Sequence, residues 1–263
     1  MIVFRNINFR YAGGTDAGGL VNINLIIPDG QVILLCGQSG CGKTTLTRLV
    51  NGLIPNYYEG KLSGEVLLDG KNISSLPLYE TAKYVGSVFQ NPRTQFFTVD
   101  TTSEIAFGCE NLGIDTEEIN SRIEKTVDAL KIEDLLNRSL FALSGGEKQK
   151  IACASVSAME PSIFVLDEPS SNLDIRSIRE LKNVLRKWKS QGKTIVIAEH
   201  RLYYLMDIAD RVLLMEDGHI KENHAVSDFR KKSTDELHTL GLRTLQSEDF
   251  SKTQSIVSAT KQL

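Results

Sequence analysis

The sequence predicts an α/β fold with a parallel core sheet, and three observations predict it. The runs "QVILLC", "SIFVLD" and "KTIVIAEH" are short and nearly all apolar, the pattern of strands buried on both faces of a parallel sheet. Between the last two, "RSIRELKNVLRKWKS" places Ile178, Leu181, Leu185 and Trp188 at helical spacing with Lys and Arg opposite, so strand, helix and strand alternate. Directly after the first run comes the glycine-rich "GQSGCGKT", followed by helical "TTLTRLVNGL". Strand, glycine-rich loop and helix in that order make a phosphate-binding unit.

Taken in chain order, "IVFRNINF" and "LVNINLII" read as strands that end at the turn signal "PDG". Residues from about 91 to 160 read as mostly helical, a subdomain inserted between core strands, with Asp115 and Glu118 spaced as a capping box. Asp217-Gly218 between apolar residues signals a hairpin. Residues 225–245 read as short helices, with Ser233 and Glu236 as another cap. The polar stretch 246–263 reads as a frayed tail or a linker. No internal repeat is evident.

Bulk properties narrow the function. The 263 residues suit one large domain with an appendage, and 41% hydrophobic and 24% charged residues are ordinary for a globular chain. A formal charge of -3 argues against nucleic acid as a partner, which calls for a basic surface. The start "MIVFRNINFR" lacks a signal-peptide layout, and no apolar run approaches the ~20 residues of a membrane span. The expected location is therefore cytoplasmic, with any membrane role acting through a partner. Cys36, Cys41, Cys109 and Cys153 form no Cys-x-x-Cys pair and read as buried, reduced thiols.

In the glycine-rich loop, Gly37, Gln38, Ser39, Gly40, Cys41, Gly42, Lys43, Thr44 and Thr45 are the candidate nucleotide contacts. Glycines let the backbone turn its N–H groups inward. Lys43 brings a compact positive charge to the β- and γ-phosphates, and Thr44 offers a hydroxyl to Mg²⁺. Asp167 and Glu168 end an apolar strand, where two acids are costly unless they meet a cation or water. Asp167 is the candidate Mg²⁺ ligand and Glu168 the candidate base for an attacking water; the plainer reading makes them capping acids before Pro169. His200 ends another apolar strand at the expected rim of Lys43 and Asp167, where it either donates to the γ-phosphate or simply packs. Cys41 lies where bulk would block the nucleotide, so either a thiol reagent inhibits and ATP protects, or the thiol turns inward.

A second glycine-rich helix start, "LSGGEKQK", follows a hundred residues later. With the phosphate loop, the acid pair and "SNLD", it resembles the signature of ATP-binding cassette (ABC) ATPases from Tyr11 to about Gly218. The resemblance implies a P-loop ABC nucleotide-binding domain over 1–224, with an antiparallel β subdomain and an inserted helical subdomain, and a short extension over 225–263. It implies ATP and Mg²⁺ as cofactors and head-to-tail pairing with an identical or sister ATPase subunit. Ser144, Gly145, Gly146 and Glu147 would then serve the partner's nucleotide. Tyr11 resembles the aromatic that stacks on adenine, Gln90 the glutamine that reaches Mg²⁺ and the water, Asp174 the aspartate that crosses the interface, Glu168 the catalytic carboxylate and His200 the switch histidine. Glu147 and Lys150 stand where many members have Gln and Arg, and "AEHRL" replaces the commoner Ser- or Thr-His form.

The stretch "FQNPRTQFFTVDTTSEIAFGCENLG" is similar to the corresponding segment of energy-coupling factor (ECF) importers of vitamins and of nickel or cobalt ions. That similarity implies a membrane coupling subunit seated in a groove here, and a small membrane subunit that binds the cargo. Phe96 and Phe97 would be partly exposed anchors; the alternative is that they belong to the helical core. It also implies that the ATPase units are separate or fused, so 246–263 would suit a linker to a second unit. The rival readings are an ordinary ABC importer using a substrate-binding protein, and a non-transport ABC protein acting on ribosomes or DNA. A plain P-loop kinase would have no use for "LSGGE" or "SNLD".

Overall fold

The computed structural model describes residues 1–13, 18–243 and 245. In chain order the elements are β1 (Ile2–Tyr11), β2 (Leu20–Ile27), β3 (Val32–Cys36), α1 (Lys43–Val50), α2 (Leu53–Asn56), β4 (Gly60–Leu68), β5 (Lys71–Asn72), α3 (Leu78–Thr81) and β6 (Val85–Val88). There follow α4 (Thr101–Asn111), α5 (Thr116–Leu130), α6 (Gly145–Ala158), β7 (Ile163–Asp167), α7 (Ile175–Ser190), β8 (Thr194–Ala198), β9 (Arg211–Glu216), β10 (His219–Ala225), α8 (Val226–Phe229) and α9 (Thr234–Thr239).

The α/β expectation holds. One sheet has the order β10-β9-β3-β8-β7-β6, and a second, antiparallel sheet has the order β2-β1-β4-β5. Every residue of β3 and β8 is buried, as two covered faces require. In β2 the burial follows side-chain alternation, with one face outward. Asp217 and Gly218 both have positive φ, 48° and 80°, the geometry of a tight hairpin between β9 and β10.

Register puts the chemistry on one rim. Leu35 pairs with Ala198, and Ala198 also pairs with Asp167. The strands run parallel, so the loops that leave β3, β7 and β8 emerge side by side.

Three apolar clusters fix the elements. One face of the large sheet packs on α7, where the Trp188 ring stacks on Phe164 with centroids 3.8 Å apart and its Nε1–H donates to Ser157 Oγ at 3.0 Å. The opposite face packs on α1 and the antiparallel sheet through Ile33, Leu46, Val196 and Phe4. A third cluster, with Ile105, Val127 and Ile151, joins α4, α5 and α6. Of the two expected capping boxes, Ser233 and Glu236 form both bonds. Asp115 forms only half: it accepts from the Glu118 N–H, but the Glu118 carboxylate takes Arg122 Nε at 2.7 Å instead. A charged partner four residues on outcompetes a backbone amide. The expected tail or linker, 246–263, lies outside the described residues.

Candidate nucleotide and hydrolysis site

The loop from β3 to α1 is built on glycines that nothing else could replace. Gly37 and Gly42 have φ of 140° and 104°, and a Cβ on Gly37 would sit 2.2 Å from Met215 O. Inside the loop, Lys43 is only 5% exposed, and its ammonium donates to the carbonyls of Gly37 and Gln38, both at 2.9 Å. A buried charge needs such partners, and here the loop that it organises supplies them. Cys41 is turned inward: it is 5% exposed, with Sγ 3.7 Å from Lys43 Nζ. The geometry therefore favours an inward, sheltered thiol over one open to reagents. All four cysteines are buried and free, and burial pushes the Cys36 and Cys153 thiols up to about 12.

Beside the loop, Thr44 Oγ1 donates to Asp167 Oδ1 at 3.0 Å. Burial pushes the Asp167 carboxyl up, and the nearby Glu168 charge adds to it. An anion left in that condition, next to a hydroxyl, is a fitting pair of hard oxygen donors for Mg²⁺. No group of three or more His, Cys, Asp or Glu among the described residues could hold a metal. Magnesium is commonly held by one or two protein oxygens and substrate phosphates, so the sparse donor set fits it.

Glu168 has a left-handed backbone, φ 45°, and its N–H donates to Ala198 O at 2.8 Å. The conformation carries strain that surrounding contacts must offset. Its carboxylate is held from both sides: Gln90 Nε2 donates to Oε2 at 2.9 Å, and His200 Nε2 lies 3.0 Å from Oε1. Gln90, His200 and Glu168 thus converge. The Gln90 side chain is bonded to Glu168, and no hydrogen bond among the described residues joins it to Thr44 or Asp167.

Sequence reasoning missed the residues around this carboxylate. Glu199 is 2% exposed. One of its oxygens accepts from the N–H groups of His200 and Arg201 at 2.7 and 3.0 Å. The other accepts from Ser170 N–H at 3.3 Å and Tyr204 O–H at 2.9 Å. The Arg201 Nη1 donates to the carbonyls of Ser170 and Leu173, both at 3.1 Å. Glu104, also 2% exposed, accepts from the N–H groups of Phe97 and Thr98 at 3.0 Å. The available signal was an acid within an otherwise buried apolar run.

The remaining candidates are more dispersed. Tyr11 O–H lies 3.1 Å from Thr45 Oγ1 and accepts from Arg48 Nη1 at 3.0 Å, and the ring borders a cavity of about 560 Å³. Ser39, Gly40 and Gln38 line a neighbouring cavity of about 780 Å³. Ser144 opens α6: its Oγ accepts from Glu147 N–H, while Glu147 accepts from Ser144 N–H at 2.7 Å. These bonds hold the Glu147 carboxyl down at about 2. The lining of the cavity of about 780 Å³ includes neither Lys43 and Thr44 nor Ser144, Gly145 and Gly146. Asp174 caps α7, accepting from Ser177 N–H at 2.7 Å. Phe96 joins the helical core, whereas Phe97 is 73% exposed and stacks on Phe107.

A family model described as ABC transporter matches residues 20–171, more than half of the chain. The chain belongs to the ABC transporter family. An ABC transporter ATP-binding protein of Treponema denticola is 55% identical over 243 residues, covering 92% of this chain and 50% of that protein. One from Pyrococcus horikoshii is 37% identical over 229 residues, covering 87% and 85%. The chain thus spans half the length of the Treponema relative. Among solved structures, cbiO1 of Clostridium perfringens, described as part of the ABC transporter complex cbiONQ, matches with a TM-score of 0.78 and 29% identity, over 90% of this chain and 92% of that one. A dimeric ATP-binding cassette with ADP and Pi shares the fold, with a TM-score of 0.74 and 24% identity over 86% of this chain and 99% of that one. The chain has the ABC ATPase fold, with a mixed core sheet, an antiparallel sheet and packed helices.

Proposed function

We propose that this chain is the ATP-hydrolysing unit of an ECF-type importer, working in a head-to-tail pair with an identical or sister unit. The observation that carries the hydrolytic half is the Glu168 carboxylate held between Gln90 and His200, one residue from Asp167. Lys43 and the backbone of residues 37–45 bind the phosphates, and Tyr11 takes the base. Thr44 and Asp167 would hold Mg²⁺, assisted by Gln90, and the ion would supply charge neutralisation for the β- and γ-phosphates. Glu168 orients and deprotonates the attacking water. His200 steadies Glu168 and reads the terminal phosphate. Ser144, Gly145, Gly146 and Glu147 close on the nucleotide of the partner, and Asp174 meets the partner across the same interface.

The importer branch is supported by likeness to cbiO1, which is described as part of cbiONQ, and by the surface around Phe97. A cavity of about 570 Å³ is lined by Leu53, Tyr57, Tyr58, Gln90, Asn91 and Phe97. Tyr57 and Phe97 are 70% and 73% exposed. Exposed aromatics around a concavity suit an apolar helix from a partner. That partner is the membrane coupling subunit, and Gln90 on the cavity wall links it to Glu168. A small membrane subunit selects a vitamin or a transition-metal ion. No helix among the described residues is long and apolar enough to cross a membrane; on this reading the chain meets the membrane through its coupling subunit, on the cytoplasmic face.

Two experiments test this reading. Glu168→Gln should retain ATP binding while phosphate release falls roughly a hundredfold or more, the scale of a general base; unchanged release would remove Glu168 from its role. Capture from gently solubilised membranes should recover a multi-helix membrane subunit with a small membrane protein. A soluble substrate-binding protein in place of the latter would point to an ordinary importer, and a ribosome or DNA complex would overturn the transport reading.

A further inference from the structure

Three consecutive residues after β8 all grip one turn. His200 meets the side chain of Glu168. Glu199 takes the N–H of Ser170, and Arg201 donates to the carbonyls of Ser170 and Leu173. The turn from Glu168 to Leu173 is thereby held by its side chain, by an amide and by two carbonyls. Glu199 also accepts from the N–H groups of His200 and Arg201, so the carboxylate that holds the turn also holds the backbone of the histidine.

We infer that Glu199 and Arg201 are positioning residues that fix the distance between His200 and Glu168, and that tie Glu168 to Asp174 at the far end of the turn. The inference rests on the reading of Glu168 and His200 as a hydrolytic pair. A buried carboxylate with four donors is a rigid anchor, because each lost bond would leave a buried polar group unpaired. One guanidinium nitrogen shared by two carbonyls pulls the turn tight at both ends. With Glu168 in a left-handed conformation, the turn is the kind of strained segment that needs such outside support. Any movement of Asp174 at a subunit interface would pass through these bonds to the carboxylate that faces the water.

The chemistry of the anchors tells them apart from filler. Glu199→Gln keeps the shape, but its amide must present N–H to a pair of donors. Tyr204 can rotate its hydroxyl to accept, whereas the Ser170 N–H cannot. The substitution therefore releases the turn with little change in the core. Arg201→Lys keeps a cation whose single nitrogen can donate to both carbonyls, on a shorter and more flexible stem.

The test uses the full-length protein and measures kcat, the Kd for ATP and thermal stability side by side. In Arg201→Ala and Glu199→Gln, kcat should fall roughly tenfold to a hundredfold, the cost of a misplacement near 1 Å. The Kd for ATP should change less than about twofold, since Lys43 and the phosphate loop, which carry most of the binding, are untouched. Arg201→Lys should recover part of the loss. The double variant should lose much less than the product of the two single losses, as coupled residues do. Glu168→Gln is run alongside. If it is inactive while Arg201→Ala and Glu199→Gln turn over normally, the positioning inference fails and the hydrolytic reading stands. If Glu168→Gln turns over normally, the hydrolytic reading itself fails. Equal losses of kcat and ATP affinity in both variants would also overturn the inference, because they would mark a general structural role.

Discussion

The two glycine-rich helix starts in this chain differ in backbone conformation and in what they enclose. At the phosphate loop the glycines are forced: φ values of 140° and 104° and contacts as close as 2.2 Å leave no room for a side chain at Gly37 or Gly42. The loop folds around its own lysine. At the signature, Gly145 and Gly146 belong to α6 and neither has a positive φ. A Cβ on Gly145 would meet nothing closer than Asn172 O at 3.7 Å, whereas one on Gly146 would sit 2.1 Å from Ser177 Oγ, a side chain and not backbone. The helix start is satisfied by its own serine and glutamate. The first is a cage closed around an internal cation, Lys43. The second is a helix cap completed within its own first turn. On the proposed reading, one sequence motif, a glycine-rich helix start, is a whole site in the first case and half of one in the second. Positive-φ glycines and an enclosed lysine set the first apart.

The largest expected effect is at the cage. Gly37→Ala should destabilise the fold by about 3 kcal/mol, from overpacking against backbone that cannot move aside, while Gly145→Ala should leave the melting temperature nearly unchanged. Thermal unfolding of the pair checks the contrast, and equal losses would erase it. Next, Lys43→Ala should weaken ATP binding roughly tenfold to a hundredfold, the worth of hydrogen bonds to a charged group, read by nucleotide titration.

At the signature, Glu147→Ala removes one bond of the capping box and should cost about 1 kcal/mol at neutral pH. The Glu147 carboxyl is depressed from 4.5 to about 2 in the folded chain. Its stabilisation is therefore complete above the unfolded value and is lost as pH falls toward about 2. Denaturant melts at pH 7 and pH 3.5 should show the gap between wild type and variant narrowing on acidification. A gap that widens would contradict the assignment. The smallest effect has the opposite sign. The Asp167 carboxyl is raised by burial, so the folded chain binds more protons than the unfolded chain as pH rises past the ordinary aspartate range, and ionisation there costs stability. Asp167→Asn keeps an acceptor for Thr44 and should raise the melting temperature of the nucleotide-free protein by a few degrees at neutral pH, while abolishing any stabilisation by Mg²⁺ with ATP.

Much of the candidate site was legible because its residues sit at ends of apolar runs. "QVILLC", "SIFVLD" and "KTIVIAE" each read as a buried strand, and parallel register brings their ends together. Lys43, Asp167 and His200 could thus be placed on one rim before any coordinates. What stayed hidden depends on partners far along the chain. Glu199 looks like part of a strand end until Ser170 and Tyr204 are seen to donate to it. The inward turn of Cys41 depends on packing against Gly37. Phe96 and Phe97 are adjacent and chemically alike, yet Phe97 N–H, Thr98 N–H and Thr98 Oγ1 all donate to Glu104 and fix the loop so that one ring is half-buried against the helical cluster and the other exposed.

The measurement that tests the central claim most directly is complementation between the two helix starts. Full-length protein carrying Lys43→Ala is mixed with full-length protein carrying Ser144→Arg, each inactive alone, and ATP hydrolysis is followed after subunit exchange. If the signature of one unit completes the phosphate loop of another, a mixed two-fold pair contains one intact composite site. Activity should then return to about a quarter of wild type at equal mixing. A mixture as inactive as either variant alone would contradict the head-to-tail account.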